Sequence, residues 1–216
     1  MNYSHFGPVL GFLLLALSLR AEAPRVPRAT RGINLTAETD PPCCRRELPS
    51  TPPSEKSLYQ IDSTWTSDVG RRVRLGVFQG RVQVLTMFFT HCEYACPLII
   101  RDLKRIQAGL PEGVRSKVDF ILVSLDPERD TPFVLHAYRQ KAELGNDHWT
   151  LLTGRADDVR ELAVLLGVNY RQDARGQFAH SNLITVLNSA GEIAHQQAGL
   201  NHAPEETVAA ITQLLR

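Results

Sequence analysis

The sequence of residues 82–97, VQVLTMFFTHCEYACP, contains the feature that decides the fold. Its first eight residues are apolar and rich in β-branched and aromatic types, which predicts a strand buried in the centre of a sheet. Cys92 and Cys96 follow, four residues apart, and Pro97 fits the first position of a helix. The stretch therefore predicts a corner between a strand and a helix that carries two thiols.

The spacing of this cysteine pair allows two kinds of chemistry. Four residues make about one helical turn, so both sulfurs can face the same side, where they can share a soft metal ion or form a disulfide. The start of a helix stabilises a thiolate, and a protonated His91 would add to this effect. Because a thiolate is both a nucleophile and a metal ligand, metal binding and redox chemistry both remain open, and a pair of buried structural cysteines is the plainer alternative.

The segments around this corner alternate between strand and helix patterns. Further strands are predicted at residues 118–125, 183–187 and 193–196, with a smaller pair at residues 58–61 and 72–75. Helices are predicted at residues 97–110, 131–144, 156–166 and 204–215. A parallel sheet centre with an antiparallel edge, flanked by helices, predicts an α/β protein that resembles the thioredoxin-like fold. In that fold a cysteine pair lies after the first central strand.

The chain divides into three predicted segments. Residues 1–23 contain an apolar run at 9–19 followed by Ala21-Glu22-Ala23, a pattern typical of a signal peptide. Pro24 directly after that cleavage site is unfavourable, so an uncleaved signal anchor is the rival interpretation and a buried N-terminal helix is a third. Residues 24–56 form a predicted flexible Pro-rich tether, and residues 57–216 form the globular domain. Export would place the thiols outside the cytosol, in the periplasm or, in a eukaryote, in the mitochondrial intermembrane space.

Two further cysteines, Cys43 and Cys44, lie in the predicted tether. Adjacent cysteines form a strained ring when they bond to each other, so we expect free thiols, metal donors or partners for other cysteines. They have no histidine or third cysteine nearby to complete a metal site. The sharper hypothesis is that these accessory thiols exchange with Cys92 and Cys96.

Composition and charge exclude some classes of partner. The formal net charge is +1, and the Lys and Arg residues are scattered rather than clustered, which argues against a nucleic-acid partner. With 216 residues, of which 43% are hydrophobic, the chain can form one packed domain and a tail.

His180 is the third candidate metal ligand. The cysteine spacing is CxxxC rather than the CxxC of thiol–disulfide exchangers, and no proline precedes the strand at residues 183–187. Thioredoxins carry a cis-proline there, facing the cysteine pair, whereas this chain has Ala179-His180-Ser181-Asn182. Two thiolates and one imidazole suit copper, because soft thiolates favour Cu(I) while the imidazole also tolerates Cu(II).

Three motifs together resemble the SCO/SenC/PrrC family. They are Cys92-x3-Cys96-Pro97, the string SLDPERDTP at residues 124–132, and His180-Ser181 followed by an apolar strand and Asn188-Ser189-Ala190-Gly191-Glu192. The resemblance implies a thioredoxin-like fold and one copper ion bound by Cys92, Cys96 and His180. It also implies a part in maturing the CuA centre of cytochrome c oxidase, with the oxidase copper-bearing subunit or another cuproprotein as recipient, a copper donor protein upstream, and attachment to a membrane through the N-terminus.

The chain departs from this family pattern at Glu93, where many members have proline after the first cysteine. A carboxylate there favours a bound cation and disfavours a thiolate nucleophile. Two functions therefore remain: a copper metallochaperone, and a thiol–disulfide oxidoreductase that keeps the cysteines of a cuproprotein apo-site reduced. The SLDPERDTP string, in which Arg129 can form a local ion pair, is either a partner-docking loop or only a well-formed turn.

Overall fold

The computed structural model describes residues 54–145, 147–173 and 178–216. The predicted signal segment, most of the predicted tether, and Cys43 and Cys44 lie outside these described residues. No helix within the described ranges is both long enough and apolar enough to cross a membrane.

A seven-stranded mixed sheet forms the centre of the described domain. Its strands are β1 (Trp65–Ser67), β2 (Arg72–Val73), β3 (Val82–Phe88), β4 (Val118–Ser124), β5 (Trp149–Thr153), β8 (Leu183–Leu187) and β9 (Ile193–Ala198). They lie in the spatial order β2-β1-β5-β4-β3-β8-β9. The strands β3, β4 and β5 are parallel, β8 and β9 join antiparallel on one side, and β1 and β2 join antiparallel on the other. The predicted parallel centre and antiparallel edge are thus confirmed. A separate hairpin consists of β6 (Tyr170–Gln172) and β7 (Phe178–His180).

Helices cover both faces of the sheet. One face packs against α1 (Ala95–Gly109), α3 (Pro132–Lys141) and α5 (Glu205–Leu214), and the other packs against α4 (Ala156–Leu166). The central strands are therefore buried on both faces: in β3, Val84 and Phe88 face the first layer, while Leu85 and Met87 face the second. This double burial explains why β3 and β4 are continuous apolar runs rather than alternating ones. A short helix, α2 (Glu112–Arg115), follows α1.

The sheet topology brings three loops to one edge. The parallel register of β3 and β4 runs from Val82 opposite Val118 to Phe88 opposite Ser124, so the loops that follow both strands start side by side. The antiparallel partner β8 begins where β3 ends, with Ile184 opposite Thr86. Consequently the residues just before β8 meet the loops that follow β3 and β4.

Several predicted elements differ from the structure. The predicted strand at residues 58–61 is wrong, because Leu58–Gln60 is a single 3-10 turn in which the Ser57 side chain accepts a hydrogen bond from the Tyr59 amide. The partner of β2 is β1 instead. The prediction also missed β5, whose five residues carry no long apolar run, and the β6–β7 hairpin. Helix α1 begins at Ala95, so Pro97 is its third residue rather than its first.

Candidate metal centre

The structure brings the three predicted ligand residues together. Cys92 lies in the loop between β3 and α1, Cys96 is the second residue of α1, and His180 is the last residue of β7. Their sulfur and ring nitrogen atoms all lie within 4.8 Å of one another. Residues that are 84 positions apart in the chain therefore form one compact cluster of soft and borderline donors.

The cysteine pair takes its geometry from the start of α1. The backbone N–H of Cys96 donates a hydrogen bond to the Cys92 sulfur over 3.2 Å, so the thiol satisfies one of the unpaired amides at the helix N-terminus. Cys96 itself is wholly buried in the layer formed by α1, whereas Cys92 is only half-buried. Both cysteines are free thiols. The Cys92 sulfur is thus accessible, whereas the Cys96 sulfur is held in the interior.

The imidazole of His180 is oriented towards the sulfurs. Its Nδ1 lies 3.0 Å from the Ser181 carbonyl oxygen, to which it donates, and its Nε2 lies 4.0 Å from the Cys96 sulfur. The ring also contacts Phe89 edge-on, with 5.9 Å between ring centroids. The hydrogen bond at Nδ1 fixes the ring so that Nε2 faces the sulfurs, which is the orientation that metal-binding histidines use.

The two thiols differ sharply in acidity. A hydrogen bond from the Cys96 thiol, with smaller contributions from His180 and from the backbone amides of Cys96 and Tyr94, lowers the pKa of Cys92 to about 4 against the opposing effect of burial. The pKa of Cys96 is raised, first by its hydrogen bond to Cys92 and then by burial. At neutral pH the reduced pair therefore carries a thiolate on Cys92 and a proton on Cys96.

We expect alkylation of Cys92 by iodoacetamide to stay close to its maximal rate from pH 8 down to pH 5, and to fall by half near pH 4. Peptide mass spectrometry would assign the modified residue. Between pH 4 and the ordinary thiol pKa near 9, the folded protein binds fewer protons at Cys92 than the unfolded chain, so this contribution to the free energy of unfolding is lost as the pH falls towards 4. The Cys96→Ala variant should shift the midpoint upwards, and a wild-type midpoint above pH 8 would contradict the assignment.

The Cys92 side of the cluster opens onto a groove of about 610 Å³. Apolar side chains, including Pro97, Ile100 and Tyr138, form part of its lining, together with His91 and Lys141. An incoming thiol or metal ion can therefore approach Cys92 from outside without displacing Cys96 or His180.

A second cluster, which the sequence analysis did not predict, lies beside the first. It consists of His91, Asp126 and Asp130, with one ligand-type atom from each within 4.8 Å of the others. His91 Nδ1 lies 3.1 Å from the Thr90 hydroxyl and 4.0 Å from the Asp130 carboxylate, so the ring is placed beside Asp130. The expected local ion pair of Arg129 is present and joins it to Asp126.

Comparison with known proteins decides the family. The family model for SCO1/SenC matches residues 52–216. The chain belongs to the SCO1/SenC family. An SCO2-like protein from Rickettsia felis is 28% identical over 148 residues, which is 65% of this chain and 72% of that protein.

Solved structures of Sco proteins share the fold. Arabidopsis thaliana ScoI, solved with copper bound, has a TM-score of 0.61 and 23% identity, covering 71% of this chain and 96% of that one. BsSco, described as a member of the Sco family of cytochrome c oxidase assembly proteins with a disulfide switch, has a TM-score of 0.62 and 23% identity, covering 70% and 90% of the two chains. The predicted thioredoxin-like fold is confirmed.

Proposed function

We propose that this SCO1/SenC protein is a copper-binding metallochaperone that helps to assemble the CuA centre of cytochrome c oxidase. The observation that carries the proposal is the convergence of two thiols and one imidazole within 4.8 Å, with Cys92 lining the groove. The copper bound to Arabidopsis ScoI and the oxidase assembly role given for the family of BsSco support it.

The donor set suits copper as a cargo ion. The Cys92 thiolate and the Cys96 sulfur are soft donors that favour Cu(I), and His180 Nε2 adds a borderline donor that also accepts Cu(II). Because Cys96 holds its proton in the free protein, copper binding releases that proton, and copper affinity should increase with pH.

The half-buried position of Cys92 favours transfer of the ion to a partner. Cys92 faces the groove while Cys96 and His180 are held by α1 and the β6–β7 hairpin. A thiolate of a recipient cuproprotein can replace Cys92 first, and the two inner ligands can then release the ion. The recipient we propose is the copper-bearing subunit of the oxidase or another cuproprotein, with a separate copper donor protein upstream.

The low pKa of Cys92 favours a second candidate function, a thiol–disulfide oxidoreductase. In such a step the Cys92 thiolate attacks a substrate disulfide and releases one substrate thiolate. Cys96 then loses its proton to the second substrate sulfur and attacks the Cys92 sulfur, which releases the second substrate thiol; two electrons have passed to the substrate and a Cys92–Cys96 disulfide has formed. We propose that one of the accessory thiols, Cys43 or Cys44, exchanges with this disulfide: it attacks the Cys92 sulfur, Cys96 is released as a thiol, and an external dithiol reductant then reduces the mixed disulfide and is itself oxidised.

The proposed location follows from the N-terminal sequence. An exported protein, in the periplasm or attached to a membrane that faces it, would meet the copper-bearing part of an oxidase and conditions in which disulfides persist. The corresponding eukaryotic compartment is the mitochondrial intermembrane space.

Metal analysis of the reduced full-length protein tests the leading function. Under anaerobic Cu(I) titration we expect one tightly held copper ion per chain in a variant with Cys43→Ser and Cys44→Ser, which removes the accessory thiols. X-ray absorption should show two sulfur neighbours and one nitrogen neighbour. Failure to retain copper, or an all-sulfur environment, would contradict the proposed site.

A further inference from the structure

We propose that Asp130 is a positioning residue, which fixes the start of the metal loop, residues 89–94 between β3 and α1, and thereby the position of the Cys92 sulfur. This inference rests on the copper site proposed above. Asp130 belongs to the SLDPERDTP string and lies 38 positions after Cys92 in the chain. The SLDPERDTP string then has a role within the molecule, besides a partner-docking role.

The Asp130 carboxylate is wholly buried and accepts three hydrogen bonds. Its Oδ2 accepts from the Thr90 amide over 3.1 Å and from the Ser124 hydroxyl over 2.6 Å. Its Oδ1 accepts from the Thr90 hydroxyl over 2.5 Å. Hydrogen bonds to an ionised acceptor are among the stronger ones in proteins, so Thr90 is held at both its backbone and its side chain.

The turn that contains Asp130 is held by hydrogen bonds of its own. The Asp130 amide donates to the Asp126 carbonyl over 2.8 Å, and the Asp126 amide donates to the Ser124 hydroxyl over 2.9 Å. Directly after Asp130, the Thr131 side chain caps α3 by accepting from the Val134 amide. Asp130 is therefore a fixed point on the β4 side of the sheet edge, and Thr90 is the residue that it holds.

The hold of Asp130 on Thr90 affects the position of Cys92 more than the positions of the other two ligands, Cys96 and His180. Thr90 precedes Cys92 by two residues, and the Cys92 amide reaches back to the Phe89 carbonyl over 3.3 Å, so the course of this short loop depends on where Thr90 is held. Cys96 belongs to α1, and His180 belongs to the β6–β7 hairpin. Loss of the hydrogen bonds to Thr90 would thus let the Cys92 thiolate move, while Cys96 and His180 stay in place.

The same contacts argue against a second metal site in the cluster of His91, Asp126 and Asp130. Both oxygens of Asp130 already accept hydrogen bonds from Thr90, one of them also from Ser124, and Asp126 forms an ion pair with Arg129. A cation would have to displace these partners. The cluster is better explained as the support of the metal loop.

Replacing Thr90 tests the proposal. Thr90→Val keeps the shape and the amide but removes the hydroxyl donor, and it should weaken Cu(I) binding by roughly 10- to 100-fold, as is typical when a group that orients a metal ligand is lost. Thr90→Ser keeps the donor and should restore wild-type affinity within about threefold. Thr207→Val is the matched control, because it removes a wholly buried hydroxyl donor on α5, whose partner is the Gln197 side chain at 2.8 Å, away from the metal loop. It should lower the thermal midpoint with little change in Cu(I) affinity.

A measurement on the copper-free protein separates this inference from the proposed function. Hydrogen exchange of the Thr90 amide should be faster in Thr90→Val and in Asp130→Asn than in the wild type, while the α1 amides beyond Cys96 stay protected. Unchanged exchange at Thr90 together with unchanged Cu(I) affinity would overturn the positioning role. If the wild type retained no copper, the proposed function would fail, and the exchange data would still decide whether Asp130 anchors the loop.

Discussion

Replacing His180 with alanine is expected to lower the Cu(I) affinity of the protein by roughly a hundredfold or more, which corresponds to about 2.7 kcal/mol. The substitution removes the one nitrogen donor of the cluster, whose Nε2 lies 4.0 Å from the Cys96 sulfur. Two sulfurs alone leave the third position to water or to an outside ligand. The Cys92–Cys96 pair should still form its disulfide, because neither thiol nor the start of α1 is altered.

Competition with a chromophoric Cu(I) chelator would measure the affinity. His195→Ala is the matched control: this half-buried histidine lies on β9, and its Nε2 contacts the Thr207 hydroxyl over 3.1 Å rather than a sulfur. It should bind copper as the wild type does. Unchanged affinity in His180→Ala would remove the metal site from the chaperone proposal. Insulin reduction by both the wild type and His180→Ala would then favour the oxidoreductase.

Replacing Arg139 with leucine is expected to destabilise the protein by about 3–5 kcal/mol, the cost typical of breaking a buried ion pair. Arg139 and Asp68 are both buried and form a two-pronged pair, with Nε to Oδ2 at 2.6 Å and Nη2 to Oδ1 at 2.8 Å. The guanidinium also donates to the carbonyls of Trp149 and Gly145 over 2.9 and 2.7 Å. Without it, the Asp68 carboxylate loses both of its Arg139 donors in the interior.

Urea unfolding followed by circular dichroism would measure this loss of stability. Arg160→Leu is the control, because Arg160 pairs with Asp157 at an exposed site where the two side chains are 65% and 73% accessible. Its loss should cost less than about 1 kcal/mol. A double variant, Asp68→Leu with Arg139→Leu, should recover part of the stability, because it also removes the buried Asp68 carboxylate that has lost its Arg139 partner. Equal losses in Arg139→Leu and Arg160→Leu would show that the buried pair contributes little.

The elements that the sequence predicted well are those whose signal is local. β3 and β4 are continuous apolar runs because both of their faces are covered, and such runs are visible in the sequence. Helix α4 carries its own apolar stripe and ends at Gly167, whose positive φ of 75° suits glycine. By contrast, β5 is a strand because β4 offers it a parallel partner, and its five residues show no clear pattern by themselves.

The hydrogen bonds that hold the candidate site, by contrast with the local elements, could not be predicted from the sequence. An aspartate in SLDPERDTP looks like an ordinary turn residue, and Thr90 looks like a loop residue. Their hydrogen bonds form only because β3 and β4 end side by side. A pattern of neighbouring residues carries no information about such a pair, since the two residues are 40 positions apart.

By itself the sequence determined the strand-to-helix corner, the CxxxC spacing and the chemical types of the donors, because each depends on residues within one or two turns of the chain. It also singled out His180, through the absence of a proline before β8. Only the tertiary structure decided that His180 Nε2 lies beside the Cys96 sulfur, that Cys92 is the accessible thiolate, and that Asp130 holds Thr90. The physical reason is that β8 pairs antiparallel with β3, and β4 pairs parallel with it, so distances within the site are set by strand pairing between distant segments.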